Sequence, residues 1–246
     1  MTVKIPRSLV QRVTGPVIVA SVLVALGYGY YAAVLVEPVK RAAPINQPTA
    51  PAKQPDKPKS AAAAVPAPNL AAARQHFASA EWRLEGVTVA ASAGIAPDGS
   101  NGAALVAETA GDGRHRLEVA PVAGATPGAI HTLSVYVKPA SQTAMALEMR
   151  DAHTVKYGLV KFNLAQTAVV GKTGDVTDAG IEPLPGGWFR CWAAMPYGAD
   201  VAVFNIALAD GDQLLYPGRA GSGVLIWGVK LEQGTQPTLY TDDSSP

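Results

Sequence analysis

Cysteine is almost absent from this 246-residue chain: Cys191 stands alone, which excludes an intrachain disulfide framework and any Cys-cluster zinc site. Charge is scarce too, at 16% against about a quarter in ordinary soluble domains. The net charge of +1 excludes broad electrostatic capture of nucleic acid as the main activity. Aromatics reach only 7%, so small Ala and Val carry much of the apolar content. The histidines, His76, His115, His131 and His153, are scattered, with no pair at i, i+4 and none beside Cys191, so they form no zinc pattern. Beyond residue 36 no segment sustains a 3.6-residue apolar period. In place of all this stand 24 glycines and 20 prolines.

The small net charge hides an asymmetry. Through residue 72 eight bases face two acids, net +6, while the rest carries 12 bases and 17 acids, net −5. A basic front and an acidic back are distinct physical objects. From Val17 to Val36 the chain reads VIVASVLVALGYGYYAAVLV, without charge or proline. As a helix such a run spans about 30 Å, the hydrocarbon thickness of a bilayer, and only a helix satisfies a lone segment's amides in lipid. Lys4, Arg7 and Arg12 precede it and favour a cytoplasmic N-terminus; Lys40 and Arg41 weaken that preference without reversing it. A signal peptide cleaved near Ala25-Leu26-Gly27 would strand nine apolar residues, and its apolar region should run only about 7–15 residues. An uncleaved anchor in a bacterial inner membrane is therefore expected, with residues 1–16 cytoplasmic and the C-terminal domain periplasmic. Ser21, Ala25, Gly29 and Ala33 recur every four residues, a ridge of small side chains along which another helix packs closely.

Residues 37–74 are mostly Ala, Pro, Lys and Gln. Nothing there buries enough apolar surface to offset chain entropy, so the segment reads as a semi-rigid linker reaching on the order of 90 Å. From residue 75 the texture changes to short alternating segments separated by turn signals such as Pro97-Asp98-Gly99, Gly111-Asp112-Gly113 and Pro185-Gly186-Gly187. About ten strands are predicted over residues 75–246, which implies an all-β, two-layer antiparallel sandwich. Alternation assigns faces. Leu133, Val135 and Val137 oppose Thr132, Ser134, Tyr136 and Lys138; Phe189 and Cys191 oppose Trp188, Arg190 and Trp192. In VLIWGVKL the same rule places Leu225, Trp227, Val229 and Leu231 on one apolar face. Cys191 is expected to be buried.

The motifs Trp82…Gly86-Val87-Thr88-Val89, Ala96-Pro97-Asp98-Gly99, Leu133-Ser134-Val135-Tyr136-Val137-Lys138, Gly187-Trp188-Phe189-Arg190-Cys191 and Ile226-Trp227-Gly228-Val229-Lys230-Leu231-Glu232-Gln233-Gly234, closing with Pro237…Tyr240, resemble a known module. It is the carbohydrate-binding-module-like jelly roll of phage tail and head-fibre proteins and bacterial surface proteins, here fused to an N-terminal membrane anchor. The resemblance covers about Glu81 to Tyr240 and implies a jelly-roll β-sandwich; such folds host many binding tasks.

Catalytic signatures are missing. Val170-Gly171-Lys172-Thr173 lacks the first glycine of a phosphate loop, since Gln166 stands there, and is read as a turn. Ser222 lacks the strand–elbow–helix setting of a hydrolase nucleophile. Glu118, Glu148, Asp151 and Glu182 are the carboxylates available for a glycosidase pair, and are expected to be solvated strand positions. No enzyme activity is expected. Asp98, Asp210 and Asp212 lie in Gly-rich turns whose oxygens would suit a structural Ca²⁺, against the ordinary reading of Asp-Gly as turn chemistry. Trp188, Trp192 and Tyr136 are candidates for a sugar platform, against core or inter-sheet packing. Two functions follow. The first expectation is a non-catalytic accessory subunit of a bacterial membrane complex, photosynthetic or respiratory, its partners integral membrane subunits and lipid. The alternative is a membrane-anchored module that binds polysaccharide at the cell surface or in the periplasm.

Overall fold

A computed structural model of the chain describes residues 67–72 and 75–240. The span 17–36 with Ser21, Ala25, Gly29 and Ala33, the basic segment 1–16 and the linker through residue 66 lie outside the described residues. Among the described residues no helix is long and apolar enough to cross a membrane.

The strands, in chain order, begin with β1 (Trp82–Glu85), β2 (Val87–Gly94), β3 (Ala103–Glu108), β4 (Gly111–Gly113), β5 (Arg116–Val119) and β6 (Val122–Ala123). Then come β7 (Ile130–Pro139), β8 (Ala144–Asp151), β9 (Tyr157–Asn163), β10 (Ala168–Gly174) and β11 (Asp178–Leu184). The last are β12 (Trp188–Pro196), β13 (Val201–Leu208), β14 (Tyr216–Gly218) and β15 (Gly223–Gln233). The first sheet runs β1-β5-β13-β8-β9-β10, with β6 also on β13; the second runs β11-β12-β7-β15-β3-β2; β14 pairs with β4. Every strand pair is antiparallel. The result is an all-β sandwich of two sheets, consistent with a jelly roll.

Alternation drives the closure. Met145, Leu147 and Met149 of β8, Val160 and Phe162 of β9, and Phe204 and Ile206 of β13 bury one face of the first sheet. They pack against Leu133, Val135 and Val137 of β7, Cys191 and Met195 of β12, and Val224, Ile226, Val229 and Leu231 of β15. Cys191 is buried, and that burial pushes its thiol pKa up. It is an inert core atom.

Three expectations from the sequence need correction. Trp82–Ala91, whose sequence reads as one strand, is two, split at Gly86, whose φ of +63° suits glycine; a Cβ there would lie 2.2 Å from the Arg114 carbonyl oxygen. Val170–Thr173 is strand, not turn: it lies in β10, a polar edge strand whose register on β9 shifts between Val169 and Gly171. In β15 a bulge between Trp227 and Lys230 breaks the alternation. Ile226, Val229 and Leu231 therefore enter the core, while Leu225 and Trp227 face the other way with Tyr136 and Trp188. Gly228, at φ +60°, makes the bulge possible, and a Cβ on it would press to 3.0 Å from the Tyr136 ring.

Residues 67–72, at the end of the stretch read as linker, lie against β15. Leu70 N–H donates to the Leu231 carbonyl, and the Asn69 side chain donates to Val229 O and accepts from Leu231 N–H. Ala71 is part of the core.

Candidate functional site

The outer face of the second sheet carries the aromatic residues singled out from the sequence. Trp188, Trp192 and Tyr136 are all buried. The Arg190 guanidinium lies 5.3 Å from the Tyr136 ring centre and donates to Ser134 Oγ. Trp192 occupies the space over Gly180, where a Cβ would come within 2.6 Å of its Nε1. Part of the cover is the chain's own C-terminal segment. Gln236 reaches Asp178 on the far edge strand, and Thr238 and Leu239 return to β15. There Lys230 Nζ donates to Thr238 Oγ1 and Leu239 O and pairs with Glu232 at 3.1 Å, both charged side chains being 0% exposed. Glu232 in turn accepts from the Thr238 N–H and hydroxyl. The three predicted platform residues are thus packing residues of this face.

Beside Trp227 and Tyr240 a cavity of about 630 Å³ opens. Trp227 and Tyr240 line it, their ring centres 4.6 Å apart and the planes tilted by 58°, and Tyr136 stands edge-on behind Trp227 at 5.2 Å. Gln75, His76, Ser92, Asp98 and Ser100 supply polar groups to its wall. Ser92 takes φ +52° in the irregular stretch of β2 between Ala90 and Gly94. A non-glycine residue in that region carries backbone strain. The Asp98 carboxylate accepts from the Ser100 N–H at 2.9 Å and so fixes the loop that forms the rim.

The outer face of the first sheet is of opposite character. Arg83, Glu118, Asn205, Glu148 and Leu159 are successive cross-strand partners on β1, β5, β13, β8 and β9. A groove of about 380 Å³ is lined here by Arg83, Arg114, Arg116, Glu118, Glu148, Arg150, Tyr157 and Asn205. Arg116 is the hub: its Nε donates to Glu85, Nη1 to Glu148, and Nη2 lies 3.3 Å from Glu118. Glu148 also accepts from Arg114 and from Asn205 Nδ2, both at 2.6 Å. Burial alone would raise the Glu148 pKa, but these donors and the two guanidinium charges outweigh it and hold the carboxyl below its ordinary range. Asn205 Oδ1 is buried and, among the described residues, accepts from no group.

Of the four carboxylates considered for catalysis, the fold brings Glu118 and Glu148 together, both on Arg116. Asp151 caps the Gly198–Ala199 backbone, and Glu182 lies on β11 of the other sheet. The candidate cation residues are not assembled. Asp98 serves its own loop, Asp210 pairs with Arg219 at 2.8 Å, and the Asp212 carbonyl accepts from Lys161. Among the described residues no group of three or more His, Cys, Asp or Glu is placed to hold a metal ion. Asn205, Arg83, Arg114 and Arg150 went unnoticed in the sequence. The signal available was period-two polarity, Arg116/Glu118 and Glu148/Arg150, but only the strand order makes them neighbours.

No protein-family model matches the chain, and no curated protein matches it. Among solved structures it is similar to the enzymatically active domain of tailspike protein 4 of bacteriophage CBA120, at 16% identity and a TM-score of 0.39 over 65% of this chain. That alignment spans only 20% of the tailspike chain. It is also similar to TmCBM61 in complex with β-1,4-galactotriose, at 15% identity and TM-score 0.39, covering 66% of this chain and 93% of the other. A CBM4 structure aligns at 13% identity and TM-score 0.34, covering 55% and 73%.

Proposed function

We propose that this chain is a non-catalytic glycan-binding module, displayed on the outer side of a bacterial inner membrane by a helix at residues 17–36. The observation that carries the reading is the cavity at the end of the second sheet. Partly buried Trp227 and Tyr240 offer the cavity aromatic surface on which a pyranose stacks. Gln75, His76, Ser92, Asp98 and Ser100 surround them with donors and acceptors for its hydroxyls, the mix of apolar wall and few polar groups that small-ligand sites use. The accessory-subunit reading rests on the small-residue ridge in 17–36; the cavity favours display. Two features support the absence of glycosidase chemistry. Glu118 and Glu148 are both tied to Arg116, and Glu148 is held below the usual carboxylate range, whereas a general acid needs a raised pKa.

The test is affinity electrophoresis of the full chain in detergent through gels holding soluble neutral polysaccharides, β-1,4-galactan among them. Retardation is expected, weakened about tenfold or more by Trp227→Ala through loss of the stacking face. Trp227 lies outside the main core, so the variant stays folded by circular dichroism. Equal retardation of the variant, or no retardation by any neutral polysaccharide together with stoichiometric co-purification of other membrane subunits, would overturn the reading.

A further inference from the structure

The charged groove on the first sheet is separate in residues and chemistry from the aromatic cavity, and the glycan reading does not use it. Its internal pairing is uneven. Arg116 spends its guanidinium on Glu85, Glu148 and Glu118, and Arg114 is committed to Glu148. Arg83 and Arg150 are not committed. Each comes only to 3.6 Å from Glu118, beyond a good hydrogen bond, and their side chains are 69% and 53% exposed. Four guanidiniums against two carboxylates leave the lining with an excess of positive charge.

Two neutral features complete the groove. Asn205 is 3% exposed and, among the described residues, its Oδ1 has no donor. Its Nδ2 is already given to Glu148, so the amide cannot turn to satisfy itself without losing that bond. A buried acceptor without a donor is unfavourable, and a groove-bound hydroxyl would supply the missing donor. Tyr157, the cross-strand partner of Arg150, is 42% exposed and adds an aromatic face. An anion for Arg83 and Arg150, an O–H for Asn205 and a ring for Tyr157 describe one class of ligand.

We propose that the outer face of the first sheet is a second binding site, for a uronic-acid residue of an acidic polysaccharide. The ligand carboxylate sits between Arg83 and Arg150, one hydroxyl donates to Asn205 Oδ1, and the sugar ring lies against Tyr157. Phosphate alone fills only the anionic part of this site. Because Glu118 competes with the ligand for both guanidiniums, removing its charge should strengthen binding, the reverse of what loss of a mere structural ion pair would do.

The experiment is calorimetric titration of the full chain in detergent with galacturonate and glucuronate oligosaccharides, and with the same oligosaccharides reduced at the carboxyl. Binding of at least one acid form and none of its reduced form is expected, with affinity falling as salt rises. Arg83→Ala and Arg150→Ala each weaken it about tenfold, and Glu118→Gln tightens it. Both arginines are more than half exposed, and an unchanged melting temperature confirms that those variants fold. Equal binding of acid and reduced forms, no binding of either acid, or acid binding untouched by both arginine variants would each overturn the proposal. Inorganic phosphate competing as well as the uronate would do so too, since it would reduce the site to an adventitious anion patch.

Discussion

Glu232→Gln tests how the cover of the second sheet is held. In the wild type Lys230 and Glu232 are wholly buried, 3.1 Å apart, and between them make every polar contact described here for Thr238 and Leu239 except the long Ala67–Thr238 bond. The glutamine keeps an oxygen for the Thr238 N–H but leaves the ammonium buried without its counter-charge. Breaking a buried pair in this way costs about 3–5 kcal/mol, and the retained hydrogen bond places this variant near the lower end. For a domain of this size 1 kcal/mol moves the melting temperature by roughly 2–4 °C, so a drop of about 6–12 °C is expected at neutral pH, read by circular dichroism. The double variant Lys230→Met/Glu232→Leu removes both desolvation penalties and should melt close to wild type or above it. It nonetheless loses the groups that hold the tail, so carboxypeptidase should trim it past Tyr240 faster than wild type. A single variant that melts within about 1 °C of wild type would refute the reasoning, as would a double variant trimmed no faster.

Tyr197 is buried in the core with a hydroxyl that has no partner among the described residues, so Tyr197→Phe should leave stability unchanged or raise it by about 1 kcal/mol; a lower melting temperature would refute this. Burial alone would raise the Asp151 pKa, but backbone N–H groups of His153, Gly198 and Ala199 outweigh it and lower the pKa. Its stabilising effect is therefore full above the unfolded value of about 4 and lost as pH falls through the folded one. Asp151→Asn should be less stable at pH 7 and show a flatter loss below about pH 4 in urea melts; parallel acid limbs would count against this. A neutral oligosaccharide seated against Tyr240 should slow carboxypeptidase trimming by a factor of about 1 + [L]/Kd; trimming indifferent to saturating ligand would place the binding elsewhere.

The strands and the core were legible wherever period two ran unbroken. In β7 the assignment of Leu133, Val135 and Val137 inward and Tyr136 outward holds without exception. It failed in β15, because one residue of bulge at Gly228 inverts every later face, and glycine in a strand announces a bulge without saying where the pattern resumes. It failed in β10 for a different reason: an edge strand in contact with solvent has little apolar alternation to read. The site was harder still. Asn205 and Arg150 become neighbours of Glu118 and Glu148 only through the order β1-β5-β13-β8-β9, a long-range arrangement that local pattern does not encode. Trp227 was read as core because its hydrophobicity is the same whichever side of the bulge it falls on.

Both outer faces of a sandwich must be made compatible with water, and here each is made so in a different way that leaves a different kind of opening. The first sheet alternates charge across strands, Arg83 beside Glu118 and Glu85 beside Arg116, so its face needs no cover; residual positive charge and one orphaned amide oxygen are what remains to meet a ligand. The second sheet places three large aromatics outward, and these cannot stay exposed without a large apolar patch. The chain's own C-terminal segment supplies part of their cover, Tyr240 packing against Tyr136, and a buried ion pair fastens it. Trp227 on the face and Tyr240 on the covering segment are both only partly buried and line the cavity, so the cavity draws on the same aromatic composition that required the cover. The buried tryptophans and the partly exposed Trp227 thus share one origin, the large aromatics set on the outer face of the second sheet.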